Sequence, residues 1–320
     1  MTGGGGAAPP AWDIHQHLWP AALRDELAAR AAPPRLGRRP GAPADLHLLG
    51  EPVWPVDERD HDPAARSGLV ARDGLSGAVV APSVPLGAEA LTGAEGARLV
   101  AAYNAGAAAL PAPLRWWAAA VLDRPDPGAL GAALDAGAVG LCLAAGALTD
   151  PGRVAHLGGL LSLVEARDRP LFVHPGPSPW APAPDAAVDG APWWPALTRY
   201  VADMQAAWFA VRAWVLPAHP ALRVCLAMLA GLAPLHAERA RSRGLTWPAQ
   251  DPRLFYDTSS YGAGAIAAVA AAVGGEAIVF GSDRPVVDPP RAPAPGHPWV
   301  TANPLRLLGP AVAGAALRTS

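Results

Sequence analysis

The sequence predicts an α/β chain folded as a (β/α)8 TIM barrel. Three observations carry this expectation. Short apolar runs recur along the chain, several without a polar break, as strands covered on both faces require. Helix-forming stretches lie between most of them, and that alternation implies a parallel sheet. The chain has 320 residues, 51% of them hydrophobic, which suits one barrel of roughly 250 residues plus insertions.

The elements follow in order. The first expected strand is 11–18, and a long proline-rich connection, 19–67, separates it from the second at 77–83. A helix over 88–109 leads to a third strand at 116–123, and a helix over 127–136 to a fourth at 139–144. A helix over 152–168 precedes the fifth strand, 171–174, which ends at His174 before PGP. The second long proline-rich connection, 175–195, carries Trp180, Trp193 and Trp194. A helix over 196–216, a sixth strand at 223–229, a helix over 234–243, and strands at 254–259 and 277–282 complete eight units. Residues 286–299 read as a proline-rich loop. Residues 1–10 are expected to be disordered and 11–320 to form a single domain. Both long connections leave C-terminal strand ends, where barrel active sites are built. Loops of that length are usually functional covers or lack order.

Composition excludes several classes. The formal net charge is −2, so no basic field points to nucleic acid. The N-terminus shows no cationic segment followed by an apolar run, hence no secretory signal. The apolar stretch 263–273 is too short for a bilayer, which takes about 20 residues. A cytoplasmic protein is expected. Cys142 and Cys225 sit in apolar runs and read as small core residues. All 25 basic residues are arginine, which removes Schiff-base chemistry, a P-loop lysine and a lysine bridge between two metals.

The stretch DIHQH, residues 13–17, holds the first chemistry. On a strand, positions i and i+2 share a face, so His15 and His17 stand side by side, about 7 Å apart along the chain. Such a pair can lean toward one ion, although most strand histidine pairs hold none. His174 ends the fifth strand, where a satisfied core histidine is the plainer reading. Asp283, in FGSDRP at the eighth strand end, reads equally as a turn cap. Strand eight of a closed barrel adjoins strand one, and all the mouths face a common centre. Three imidazoles and a carboxylate there suit zinc or a similar divalent ion.

The chain resembles the amidohydrolase superfamily, in the branch of amidohydrolase-related hydrolases and aminocarboxymuconate-semialdehyde decarboxylase-like enzymes. The resemblance rests on DIHQH (13–17), AGAVGLCL (136–143), PLFVHPG (170–176), the run 219–239, LFYDTSSYG (254–262), VFGSDRP (279–285) and NPLRLLG (303–309). It implies a distorted barrel with His15, His17, His174 and Asp283 as metal ligands and Asp283 as the catalytic proton carrier. The absence of lysine, and of glutamate at the end of strand four, fits only the mononuclear form. One position departs from the family. Its sixth strand commonly ends in a histidine that polarises substrate or holds water, and Met228 stands there. A thioether does no acid–base work.

The expected function is a metal-dependent hydrolase, cutting an ester, lactone or amide of an apolar or aromatic substrate through a metal-activated water. Two alternatives stand beside it. One is a metal-dependent, non-oxidative decarboxylase of an aromatic acid, which depends less on the missing histidine. The other is a weakened barrel that binds a small molecule. The expected cofactor is one divalent ion, zinc first and manganese second. The expected partner is a small-molecule substrate, with no nucleic acid or membrane and a homodimer left open. Trp180, Trp193, Trp194, Arg284 and Met228 are the candidates for substrate contact, with a salt bridge the plainer role for Arg284. His236 is a remote stand-in for the missing histidine, and Asp257 and Ser259 read as structural.

Overall fold

The computed structural model describes residues 9–180, 191–248, 250–287 and 292–309. The expected disordered start, most of the second long connection and the chain beyond 309 lie outside them. Among the described residues, eight parallel strands form the barrel wall. One sheet runs β1 (Trp12–His17), β5 (Gly77–Ala81), β6 (Leu114–Trp116). The other runs β11 (Ile278–Val279), β10 (Leu254–Asp257), β9 (Val224–Leu226), β8 (Leu171–His174), β7 (Leu141–Ala144). Isolated parallel bridges join them at both seams, Ala118 to Leu141 and Gln16 to Arg284. Every residue of β1, β5, β7, β8 and β10 is buried, as strands packed inside by the barrel core and outside by helices must be.

The third strand departs from its expected span. Its ladder ends at Trp116; Trp117 N and Ala118 N still bond the Val80 and Gly140 carbonyls of the neighbouring strands, and beyond them the chain finds other partners. Ala119 N donates to Asn104 Oδ1, and Leu122 N to the Glu89 carbonyl. The sixth strand also ends early, at Leu226. Met228, Leu229, Ala230, Gly231 and Leu232 follow, all with φ between 48° and 65°, a left-handed turn in place of a strand end. The chain is helical again only over Ala237–Arg241, so His236 stands at the end of that turn.

The first long connection is structured. It holds the helix Ala21–Ala29 and an antiparallel sheet of β2 (Arg35–Gly37), β3 (Ala44–His47) and β4 (Trp54–Val56). Asp57 caps a short turn ending at His61, and Asp62 caps the helix Pro63–Arg72, with proline at the first helical position where its missing N–H costs nothing. Glu51 Oε1 accepts from Arg199 Nη2 at 3.1 Å and from the Tyr200 hydroxyl, tying this insertion to the helix Arg199–Ala210. No helix among the described residues is long and apolar enough to cross a membrane.

Candidate metal centre

The centre is assembled from three strand ends. In β1 the register against β5 shifts between Asp13 and Gln16, a bulge that re-aims side chains. The fully buried Asp13 holds it: Oδ1 accepts from His15 N at 3.0 Å and from Ser282 N at 3.1 Å, and Oδ2 accepts from Gln16 Nε2 at 2.7 Å. One carboxylate thus locks the first strand to the end of the eighth. Asp283 adopts φ 60°, a left-handed conformation that aspartate tolerates better than most residues. Its N–H donates to the His15 carbonyl at 2.9 Å.

His15, His17, His174 and Asp283 are all buried, and one ligand-type atom from each lies within 4.8 Å of the others. His15 Nε2 and His17 Nε2 are 3.1 Å apart. Asp283 Oδ1 is 3.6 Å from the first and 3.1 Å from the second. The three rings stand edge to face, centroids 4.9 to 5.0 Å apart and planes at 84° to 87°. They therefore frame a single point. Below them Phe172 packs edge-on against His15 at 4.9 Å, and Trp117 stacks on Phe172 at 5.2 Å.

The far side of each ring is also occupied. His15 Nδ1 lies 2.6 Å from Asp257 Oδ2, His17 Nδ1 3.1 Å from the Ala81 carbonyl, and His174 Nδ1 2.8 Å from the Pro175 carbonyl. Each acceptor keeps the proton on Nδ1 and leaves Nε2 with its lone pair, the arrangement that metal-bound imidazoles need. The donor set therefore fits a divalent ion. The charges around the centre are coupled: Asp283 and His174 favour their ligand forms, while His15 is drawn toward its charged form, from which an ion would have to displace a proton. Burial pushes the His15 imidazole down, but the Asp257 carboxylate overrides it and raises the pKa to about 9. Burial would raise the Asp283 carboxyl, yet the His15 and His17 rings bring it down to about 2. His174, chiefly desolvated, sits well below the ordinary histidine range.

Asp257 was expected to be structural, and the geometry gives it more to do. Besides His15 it accepts from Met228 N at 3.0 Å, Ser259 N at 2.9 Å and Ser259 Oγ at 2.5 Å. It ties the strand-six mouth to the metal centre. A strand-end aspartate two residues before serine was the only sequence signal.

The other candidates are dispersed. Met228 is 9% exposed but stands apart from the contiguous hydrophobic core. Trp180 packs against Arg153 and His156. Trp193 and Trp194 are 52% and 45% exposed, with centroids 5.6 Å apart. Arg284 Nη2 lies 2.7 Å from Asp73 Oδ2. A feature the sequence did not suggest is a buried stacked pair just beyond His17. The Trp19 and His61 rings stack at 4.4 Å, Trp19 N donates to His61 Nδ1, and Trp19 Nε1 donates to Ser83 Oγ at 2.8 Å.

Residues 12–315 match the amidohydrolase family. The chain belongs to that family. Its fold is accordingly a TIM barrel, and the protein is an enzyme of the amidohydrolase superfamily. No curated protein matches this amidohydrolase. Among solved structures it resembles IDCase of Metarhizium anisopliae, with TM-score 0.73, 17% identity, and coverage of 94% of this chain and 97% of that one. It also resembles 5-carboxyvanillate decarboxylase LigW of Sphingomonas paucimobilis, with TM-score 0.69, 15% identity, and coverage of 94% and 99%. A third is the dihydroxybenzoic acid decarboxylase of Polaromonas sp., with bound manganese and the inhibitor 2-nitroresorcinol, at TM-score 0.62, 15% identity, and coverage of 94% and 97%. The expectation of a hydrolase is corrected here. The last two neighbours are decarboxylases by name, and Met228 leaves no acid–base group where the family's sixth strand would help a hydrolytic water.

Proposed function

We propose that this amidohydrolase is a metal-dependent, non-oxidative decarboxylase of a small aromatic hydroxy acid. The observation that carries the reading is the His15, His17, His174 and Asp283 set, converging on one point with every imidazole Nδ1 already bonded. Those four side chains would hold one divalent ion. When bound, it supplies a Lewis-acid centre for the substrate carboxylate and an adjacent phenolic oxygen.

The chain's own groups do the rest. Asp283 Oδ1 is turned to the imidazoles, while among the described residues Oδ2 has only the Ser260 hydroxyl, at 3.4 Å. Asp283, ionised in the free site, would take up the phenolic proton as the substrate binds and pass it to the ring carbon that bears the carboxylate. The carbon–carboxylate bond then breaks, its electron pair returns to the ring, CO2 leaves, and the phenolic oxygen regains a proton from solvent. Protonation of carbon and loss of CO2 need no positioned water, so Met228 is no obstacle, and its thioether serves as an apolar wall. The enzyme is read as cytoplasmic.

The test is CO2 release from a panel of mono- and dihydroxybenzoic acids, with Mn2+ or Zn2+ supplied. Release from any of them supports the reading. Tight binding without CO2 would overturn it in favour of a small-molecule binding protein.

A further inference from the structure

We propose that Arg66 is a positioning residue for the metal centre, an inference that rests on the function proposed above. Arg66 lies on the helix Pro63–Arg72, outside the barrel wall, and is 2% exposed. Among the described residues no carboxylate pairs with it. Its partners are backbone and amide oxygens. Nη1 donates to the His17 carbonyl at 2.9 Å, Gln16 Oε1 at 3.2 Å and the Arg284 carbonyl at 3.4 Å, and Nη2 donates to the Asp60 carbonyl at 2.7 Å. One guanidinium therefore grips the backbone of His17 and of the residue next to Asp283.

The place it grips is joined by separate backbone bonds, among them Ile14 N to the Phe280 carbonyl at 3.0 Å and Asp283 N to the His15 carbonyl at 2.9 Å, rather than by a long ladder. β11 is two residues long, and the end of the eighth strand meets β1 through a single bridge at Gln16 and Arg284. Across that seam His17 N donates to the Arg284 carbonyl at 2.6 Å. Arg66 bonds both carbonyls at the seam, and Gln16 continues the chain of bonds to Asp13, which fixes the bulge and Ser282. Arg66 thus adds a side-chain clamp to the backbone bonds that set the spacing between His17 and Asp283. A planar fork of five donors can hold several oxygens at fixed angles, which a lysine ammonium on a flexible stem cannot. Burying a cation against neutral oxygens is costly. An apolar side chain would fill the same space without that penalty, so the fork has a task beyond packing.

Charge adds a second effect that the test must separate. Asp13, Asp257 and Asp283 are buried around the centre with Arg66 as the nearby buried guanidinium. A divalent ion and Arg66 together balance those three carboxylates. If charge alone mattered, removing Arg66 would tighten the ion.

Arg66→Lys and Arg66→Met in the full chain decide it. The readouts are Zn2+ affinity by chelator competition and the visible spectrum of the Co2+-loaded protein, which reports ligand geometry. We expect both variants to bind Zn2+ about 10- to 100-fold more weakly and to show an altered Co2+ spectrum. The lysine variant keeps the charge, so it covers the case in which methionine fails to fold. Unchanged affinity and spectrum with a lower melting temperature would make Arg66 a fold staple only and overturn the proposal. Tighter binding in Arg66→Met with an unchanged Arg66→Lys would assign the effect to charge and overturn it equally. Wild type that binds neither ion would instead overturn the metal-site reading on which the proposal stands.

Discussion

His15 on the first strand and Asp257 on the seventh meet at 2.6 Å between Nδ1 and Oδ2, with both side chains buried. The pair sets the tautomer of His15 and so the direction of its free lone pair. Asp257→Asn can keep the Ser259 contact but loses the anionic acceptor. Metal affinity should fall about 10- to 100-fold, measured by chelator competition. Unchanged affinity would show that the carboxylate charge does nothing for the ligand.

His174→Ala removes one of four donors. Wild type purified without chelator should carry about one divalent ion per chain, in line with a single four-donor site. The variant should carry almost none. Mass-spectrometric metal analysis checks this. Near-zero metal in wild type that reconstitution does not restore would defeat the proposed chemistry.

Gly281 lies where the eighth strand end passes the first. A Cβ there would stand 2.8 Å from Asp257 Oδ2 and 2.9 Å from His15 Cβ. Gly281→Ala must push that pair aside, at about 1–3 kcal/mol, and should lower metal occupancy and stability together. Full occupancy with normal stability would show that the strand end shifts freely.

Glu89 gives a stability profile in pH. It is 3% exposed, its Oε2 has no partner among the described residues, and burial raises its pKa from 4.5 to about 7. The fold accepts its neutral form. Its contribution is therefore intact below the unfolded value and lost as pH rises through 7, by about 3 kcal/mol in the limit. Denaturation at about pH 5 and about pH 8.5 should show Glu89→Gln gaining on wild type at the higher pH. A difference independent of pH would mean that the carboxylate is stabilised after all.

Met228→Ala should raise KM for an aromatic acid by about tenfold and leave kcat and metal content nearly unchanged, the signature of lost uniform binding. A large loss of kcat with unchanged KM would place the thioether in the chemistry rather than the wall.

Part of this centre was legible before any coordinates. Strand alternation put His15 and His17 on one face, and the strand-end positions of His174 and Asp283 brought them to the same mouth. Asp257 reads from the sequence as merely structural because its meaning depends on His15, 242 residues away. Arg66 was missed for a related reason: it acts on backbone carbonyls, which carry no residue identity. The insertion 35–56 hid its sheet because β2 and β4 are three residues each and β4 contains Pro55, too short for a periodicity to declare itself. The turn after β9 had no signature, since methionine, leucine and alanine are not residues that announce positive φ.

That turn bears on how the enzyme can change. Four of its five residues carry a Cβ in a left-handed conformation, at about 1–2 kcal/mol each relative to the right-handed form. Ala230 lies one base change from glycine, which would relieve part of that strain. The mouth of the sixth strand therefore carries a backbone cost that one small substitution could lower, leaving stability for changes elsewhere.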